Sequence, residues 1–139
     1  EAGMTDASQV ARTTEEALRA LGLSRQKARY AHALAAAEID YGELRHLSAD
    51  DVIGVLTSVP GIGAWTAEIY AMFSLGRADV FAPGDLALQE AAKLIFELPE
   101  RPKEKAFRAM SHAWSPWRSV AARIMWAYYK QHKQREGVR

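Results

Sequence analysis

Two short stretches of this 139-residue chain carry the residue types and spacing that could do chemistry. The first is Val59-Pro60-Gly61-Ile62-Gly63-Ala64-Trp65-Thr66-Ala67; the second is Pro83-Gly84-Asp85, whose aspartate follows Trp65 by twenty residues. Proline fixes φ and removes a donor, and each glycine permits φ > 0 and close backbone approach, so the first stretch reads as a tight turn. A helix starting near Ala64 adds unpaired N–H groups and the positive end of its dipole. Gly61, Ile62, Gly63, Ala64 and Thr66 could then hold a phosphate oxygen without a lysine. Asp85 offers one carboxylate, able to stabilise developing positive charge or to take a proton from water. Each feature also has an ordinary reading: a plain helix–helix turn, and an aspartate that caps the helix after it.

The elements that must position these groups are helical, with strand signals almost missing. The chain predicts an all-α fold of about seven helices in a single domain over residues 1–139. Thr13 or Thr14 can cap a short helix through Leu21, and Ser24 a longer one to about Glu38, with Ala28, Ala31, Leu34 and Ala35 on its apolar face. Ser48-Ala49-Asp50-Asp51 resembles a capping box opening a helix with Val52, Ile53 and Leu56 inward. The next helix runs from Ala64 to Leu75, with Ile69, Met72 and Phe73 facing a core and Gly76 ending it, so the hairpin occupies residues 49–75. Asp85 stands at the N-cap of a helix carrying Leu88, Ala91, Ala92, Leu94 and Ile95, closed by Pro99. Pro102 opens another that buries Ala106, Phe107 and Met110. Ser115-Pro116 starts the last, with Val120, Ile124, Ala127 and Tyr128 at core spacing.

With 49% hydrophobic and 25% charged residues the chain reads as globular and water-soluble. It has no apolar run of the roughly 20 residues needed to span a bilayer and no signal-peptide layout, so the expected location is cytoplasmic. The absence of cysteine excludes a disulfide framework, a zinc–thiolate centre and a cysteine-ligated iron–sulfur cluster in this chain. His32, His46, His112 and His132 lack metal-ligand spacing. The net charge of +1 hides an asymmetry: residues 101–139 hold ten Lys/Arg against two acids, whereas residues 1–100 hold eight against fifteen. Arg101, Lys103, Lys105, Arg108, Arg118 and Arg123, followed by Lys130, Lys133, Arg135 and Arg139, form a basic third suited to a phosphate backbone or, for the tail, a merely solvated face.

Leu56, Val59-Pro60-Gly61-Ile62-Gly63, Thr66-Ala67 and Pro83-Gly84-Asp85 together resemble the helix-hairpin-helix (HhH-GPD) DNA glycosylase superfamily. Trp65, the run from Val80 to Leu86, and Trp114-Ser115-Pro116-Trp117-Arg118-Ser119 are most similar to its 3-methyladenine DNA glycosylase II branch. The resemblance runs from about Ala17 to Tyr129. It implies a base excision repair N-glycosylase that flips and hydrolyses alkylated purine nucleotides of the 3-methyladenine and 7-methylguanine type. Asp85 would be the catalytic carboxylate, Trp65 and Trp126 the pocket aromatics, and Ile69 and Leu86 would occupy positions where some relatives have tyrosine. Trp65 stands where bifunctional members carry a Schiff-base lysine, which implies a monofunctional enzyme without lyase activity. Lack of cysteine sets the chain apart from the cluster-bearing endonuclease branch. The implied partner is double-stranded DNA containing alkylated bases, bound by a monomer that is nucleoid-associated in a bacterial-type cell. No cofactor is required, and the one ion suggested is a monovalent cation on the Val59 and Gly61 carbonyls. The family's first helices have no counterpart here, Glu1-Ala2-Gly3-Met4 resembling an entry into the middle of the fold. Two residues stay open: Trp126 suits core packing as well as a pocket, and Arg118 suits an acid as well as a phosphate. The competing functions are a non-catalytic hairpin module that only binds DNA, and a helical interaction domain with no nucleic acid partner.

Overall fold

The computed structural model describes residues 6–135 and Gly137; Glu1, Ala2, Gly3, Met4 and Arg139 lie outside the described residues. The described residues contain eight α-helices and no β-strand, one helix more than the spacing predicts. They are α1 Ala7–Arg12, α2 Glu15–Ala20, α3 Arg25–Ala36, α4 Ala49–Thr57, α5 Ala64–Phe73, α6 Leu86–Ile95, α7 Glu104–Ser111 and α8 Arg118–Arg135, with single 3-10 turns at Glu43–Arg45 and His112–Trp114. The helix missed is α1, whose only sequence signal is its cap, Asp6, accepting from Ser8 N–H at 2.8 Å. Thr14, Ser24, Ser48 and Asp85 likewise each accept an orphan amide of the helix they precede, a contribution of about 1 kcal/mol apiece. Pro99 is not the terminator of α6: the helix has already ended at Ile95, where Glu97 adopts φ +51° and the Leu98 amide returns to the Lys93 carbonyl.

The chain forms two compact units, Glu1–Ile62 and Gly63–Arg139, that divide within the turn between α4 and α5. In the first, α3 packs against α1 and α2, and Leu18, Ala28, Leu44, Val52, Leu56 and Val59 are buried. Its last turn rests on an aromatic face. Gly61 has φ +95°, and a Cβ there would stand 2.3 Å from Tyr30 Cγ, so glycine is required both by backbone conformation and by space. Gly63 is different from the expectation: φ −90° and ψ 170° place it in the extended region, with nothing within 4 Å of a Cβ.

The second unit is built around an irregular segment, Val80-Phe81-Ala82-Pro83, buried although it belongs to no helix. Buried irregular backbone must find hydrogen-bond partners off its own chain segment. Ser119 of α8 meets Val80 and the chain just before it: its hydroxyl accepts from Val80 N–H at 3.1 Å and faces the carbonyls of Arg77 and Val80 at 2.7 and 2.8 Å, while its amide donates to Ala78 O at 2.9 Å. Gln89 of α6 donates to the Pro83 carbonyl at 2.7 Å. Phe81 packs edge-on to Phe107 at 4.9 Å and beside Trp114 at 5.3 Å, which stacks on Phe96.

That demand for polar partners also sets the rotation of α8. The face carrying Val120, Ile124, Ala127 and Tyr128 is exposed, Ile124 to 63%, and the buried residues are Ser119, Ala122 and Met125. α8 packs against α6, where Ala91 and Ala92 are among the buried residues. Spacing by hydrophobic size therefore indicated the wrong face. Phe73 likewise does not face the core but is half exposed at the end of α5, and only Met72 of that pair is buried. Trp117 is exposed, whereas Trp114 packs among Phe81, Phe96 and Phe107.

Two ion pairs tie the unit together. Glu68, 3% exposed in mid α5, accepts from Arg108 of α7 at 2.8 Å; burial holds its carboxyl above the usual carboxylate range, with the guanidinium opposing that rise only in part. Asp79 takes a two-pronged grip from Arg118, Nε to Oδ1 at 2.6 Å and Nη2 to Oδ2 at 3.0 Å, with Ser115 donating to Oδ2 at 2.8 Å. The Arg118 hydrogen bonds, helped by Ser115, lower the Asp79 carboxyl to about 2.

A serine at Gly61 should destabilise the chain by about 2 kcal/mol or more through steric overlap and strained φ, whereas serine at Gly63, a preferred N-cap, should be neutral within about 1 kcal/mol. Paired urea titrations of the two variants measure the difference. The folded-state carboxyl of Asp79 lies below its unfolded value, so its stabilisation is present above pH 4 and is lost as pH falls from about 4 towards 2. Allowing for solvent screening of a pair that is about a third exposed, that loss is about 1 kcal/mol. Urea midpoints between pH 5 and 2 should converge for the parent chain and Asp79→Asn as the pH drops.

Candidate active site

The Ala82–Asp85 turn, closed by Asp85 N–H to Ala82 O at 3.0 Å, delivers Asp85 to the first turn of α6. Its carboxylate is shared. Oδ1 accepts the Leu88 amide at 2.9 Å and the Trp126 indole N–H at 3.1 Å; Oδ2 accepts the Trp65 indole N–H at 2.9 Å. Three of its four lone-pair directions are thereby used, and one on Oδ2 remains for a bound molecule. The cap role of Asp85 therefore leaves an acceptor direction on Oδ2 unused.

Two sequence-distant indoles meet on this group. Trp65 enters from the first turn of α5 and is 49% exposed; Trp126 comes from mid α8 and is half-buried. Trp126 is not a core-packing residue, since its ring contacts Phe73 at 5.7 Å and its N–H is committed to Asp85. Of the remaining predicted pocket residues, Ile69 is half-buried one turn after Trp65, and Leu86, next to Asp85, is 61% exposed. Arg123, named from sequence only as one of the basic residues, places its guanidinium 4.5 Å over the Phe73 ring. No local spacing indicates that contact, because it joins α5 to α8 across fifty residues.

Gly63 as N-cap contributes no side-chain acceptor to α5, so the first-turn amides of Ala64, Trp65 and Thr66 are left for an outside anion, and all three residues are exposed. In the preceding unit, Gly61 is exposed, Ile62 half-buried, and the Val59 carbonyl accepts Ile62 N–H at 3.1 Å. Of the two partners open to Arg118, the structure supplies the acid, Asp79. Arg101 and Arg108 are likewise engaged, with Glu90 and with Glu68 and Glu104. Among the described residues no group of three or more His, Asp or Glu side chains could hold a metal ion.

The pattern of the HhH-GPD superfamily of base excision DNA repair proteins matches residues 1–118. A Bacillus halodurans DNA-3-methyladenine glycosidase superimposes with a TM-score of 0.79 at 35% identity, covering 93% of this chain and 61% of that one. The Schizosaccharomyces pombe 3-methyladenine DNA glycosylase Mag1, solved in complex with abasic DNA, gives a TM-score of 0.78 at 30% identity, covering 90% of this chain and 63% of that one. DNA-3-methyladenine glycosylase 2 of Escherichia coli is 32% identical over 114 residues, 80% of this chain and 38% of the relative. This chain thus spans between 38% and 63% of the lengths of these three proteins. The shared pattern through residue 118 shows the family: the chain belongs to the HhH-GPD superfamily of base excision DNA repair proteins, and the relatives named here are its 3-methyladenine glycosylases.

Proposed function

We propose that this chain acts as a monofunctional DNA N-glycosylase that removes alkylated purines of the 3-methyladenine and 7-methylguanine type from double-stranded DNA. The observation that carries the reading is the Asp85 carboxylate, oriented by Trp65, Trp126 and the Leu88 amide with one acceptor direction left on Oδ2.

The target nucleotide must leave the stack before its sugar can reach such a carboxylate. As the bond from C1′ to the purine nitrogen breaks, its electron pair leaves with the base and positive charge builds on the deoxyribose, where the fixed charge of Asp85 stabilises it. A water then bonds to C1′ and gives up a proton, for which the open lone pair of Oδ2 is a suitable acceptor. Trp65 and Trp126 present electron-rich faces to a purine that alkylation at N3 or N7 has made cationic, an attraction of about 0.5–2 kcal/mol. Trp65 has no amine to form a Schiff base, so the product is an intact abasic site. Ile69 and Leu86 give the pocket an aliphatic border in place of further aromatics. Gly61, Ile62 and Gly63, with the amides of Ala64 and Thr66, grip phosphate, and Arg118 serves the loop by holding Asp79. The Val59 carbonyl keeps a lone pair after accepting Ile62 N–H, so with Gly61 it fits a monovalent cation that would supply charge for phosphate binding.

We assign the whole of 1–139 to one glycosylase domain, with the hairpin at 49–75, because one family pattern runs through both compact units. It would act as a monomer on DNA, in the cytoplasm and at the nucleoid of a bacterial-type cell. No helix among the described residues is long and apolar enough to cross a membrane.

Asparagine at position 85 keeps a good N-cap and removes the charge. Asp85→Asn should therefore lower release of 3-methyladenine and 7-methylguanine from methylated duplex DNA by about 100-fold or more while leaving duplex binding intact. Release that persists in the variant would remove Asp85 from the reaction. Binding without release by the parent chain would favour a module that only holds DNA.

A further inference from the structure

Most of the arginines in residues 101–123 are already spent on carboxylates: Arg101 on Glu90, Arg108 on Glu68 and Glu104, Arg118 on Asp79. Arg123 is the exception. It lies exposed on α8, has no carboxylate partner among the described residues, and makes one hydrogen bond, Nη2 to the Met72 carbonyl at 3.4 Å. Its guanidinium lies 4.5 Å above the ring of Phe73, itself half exposed; Phe73 meets Trp126 at 5.7 Å with a 37° tilt, and Trp126 donates to Asp85 at 3.1 Å. An unpaired cation thus stands two ring contacts from the reactive carboxylate.

We propose that Arg123 is a phosphate-binding residue at the rim of the Asp85 site, held over the Phe73 ring with guanidinium donors left for the DNA backbone. A guanidinium stacked on an aromatic ring keeps its in-plane N–H donors free, and these match two oxygens of one phosphate. Loss of freedom on binding is small because the side chain is already ordered by the ring and by the Met72 carbonyl. The inference rests on the glycosylase reading: each DNA strand carries a charge about every 3.4 Å along the axis, so a strand that places a sugar at Asp85 brings phosphates past this rim. Together with the α5 amides, Arg123 would fix the strand on two sides of the flipped nucleotide. The contact is independent of sequence and of the lesion.

The test is equilibrium binding of a duplex carrying a tetrahydrofuran abasic analogue, measured over a salt series for the parent chain, Arg123→Gln and Arg123→Lys. Expected is about tenfold weaker binding by the Gln variant at low salt, with the slope of log affinity against log salt reduced by about 0.9, the value of one phosphate contact, and recovery of the slope in the Lys variant. A purely structural role, in which Arg123 only steadies Phe73, predicts instead that Gln and Lys weaken binding alike with an unchanged slope, and that outcome overturns the proposal. If it does so while the parent chain still releases methylated purines, the glycosylase reading stands. A parent chain whose DNA binding shows no salt dependence overturns both.

Discussion

A buried stretch of irregular backbone, residues 80–83, is the constraint on which the second unit depends. Helices satisfy their own amides and carbonyls, whereas a loop inside a core cannot, and each unpaired group would cost about 1–3 kcal/mol. Ser119 and Gln89 meet that need from α8 and α6, and the Arg118–Asp79 pair secures the loop's outer edge. The consequences reach outward in order. The loop's position fixes the rotation of α8, the rotation of α8 turns Trp126 towards α6, and the end of the loop sets Asp85 at the start of α6. Polar groups buried here do not compete with the hydrophobic core; they decide which packing of that core is the correct one.

Asp85 shows how a helix cap can also take donors from two other helices. A carboxylate that caps a helix is confined to one rotamer by its bond to an amide, and two indole N–H groups from different helices then define its plane. Pre-orientation of this kind is what electrostatic stabilisation of a transition state requires, because no reorganisation is left to be done as charge develops. Use of indoles as donors has a second effect: the same side chains that hold the carboxylate present aromatic faces beside it.

Charge follows a similar economy. Near-neutral overall, the chain concentrates cations in its last third, yet three of the arginines there brace α6, α7 and the 77–84 loop. Glu68 and Arg108 in particular link α5 to α7 with one partner almost fully buried, an arrangement whose removal by halves would strand a charge in the core. Counting basic residues therefore overstates the charge left unpaired, and the cations without carboxylate partners have to be found one by one.

Much of this protein was legible in its residues. Ser24, Ser48 and Asp85 act as local caps, Gly61 meets a local demand for positive φ, and the hairpin and Pro-Gly-Asp motifs carry the family, because each depends on chain neighbours within a few residues. Gly63 shows the limit even there, since glycine permits positive φ without requiring it. What local spacing could not decide was which face of a helix is buried. Val120, Ile124 and Tyr128 have the size and period of a core stripe, but the partner across from α8 offers alanines and a loop hungry for hydrogen bonds, so Ser119 and Ala122 go inward. In the same way Trp65, Asp85 and Trp126 were each singled out by the sequence, and only the tertiary structure joins them into one hydrogen-bonded group. Caps and turns are decided by interactions a few residues long; rotation of a helix and convergence of side chains forty residues apart are decided by what the partner surface can satisfy.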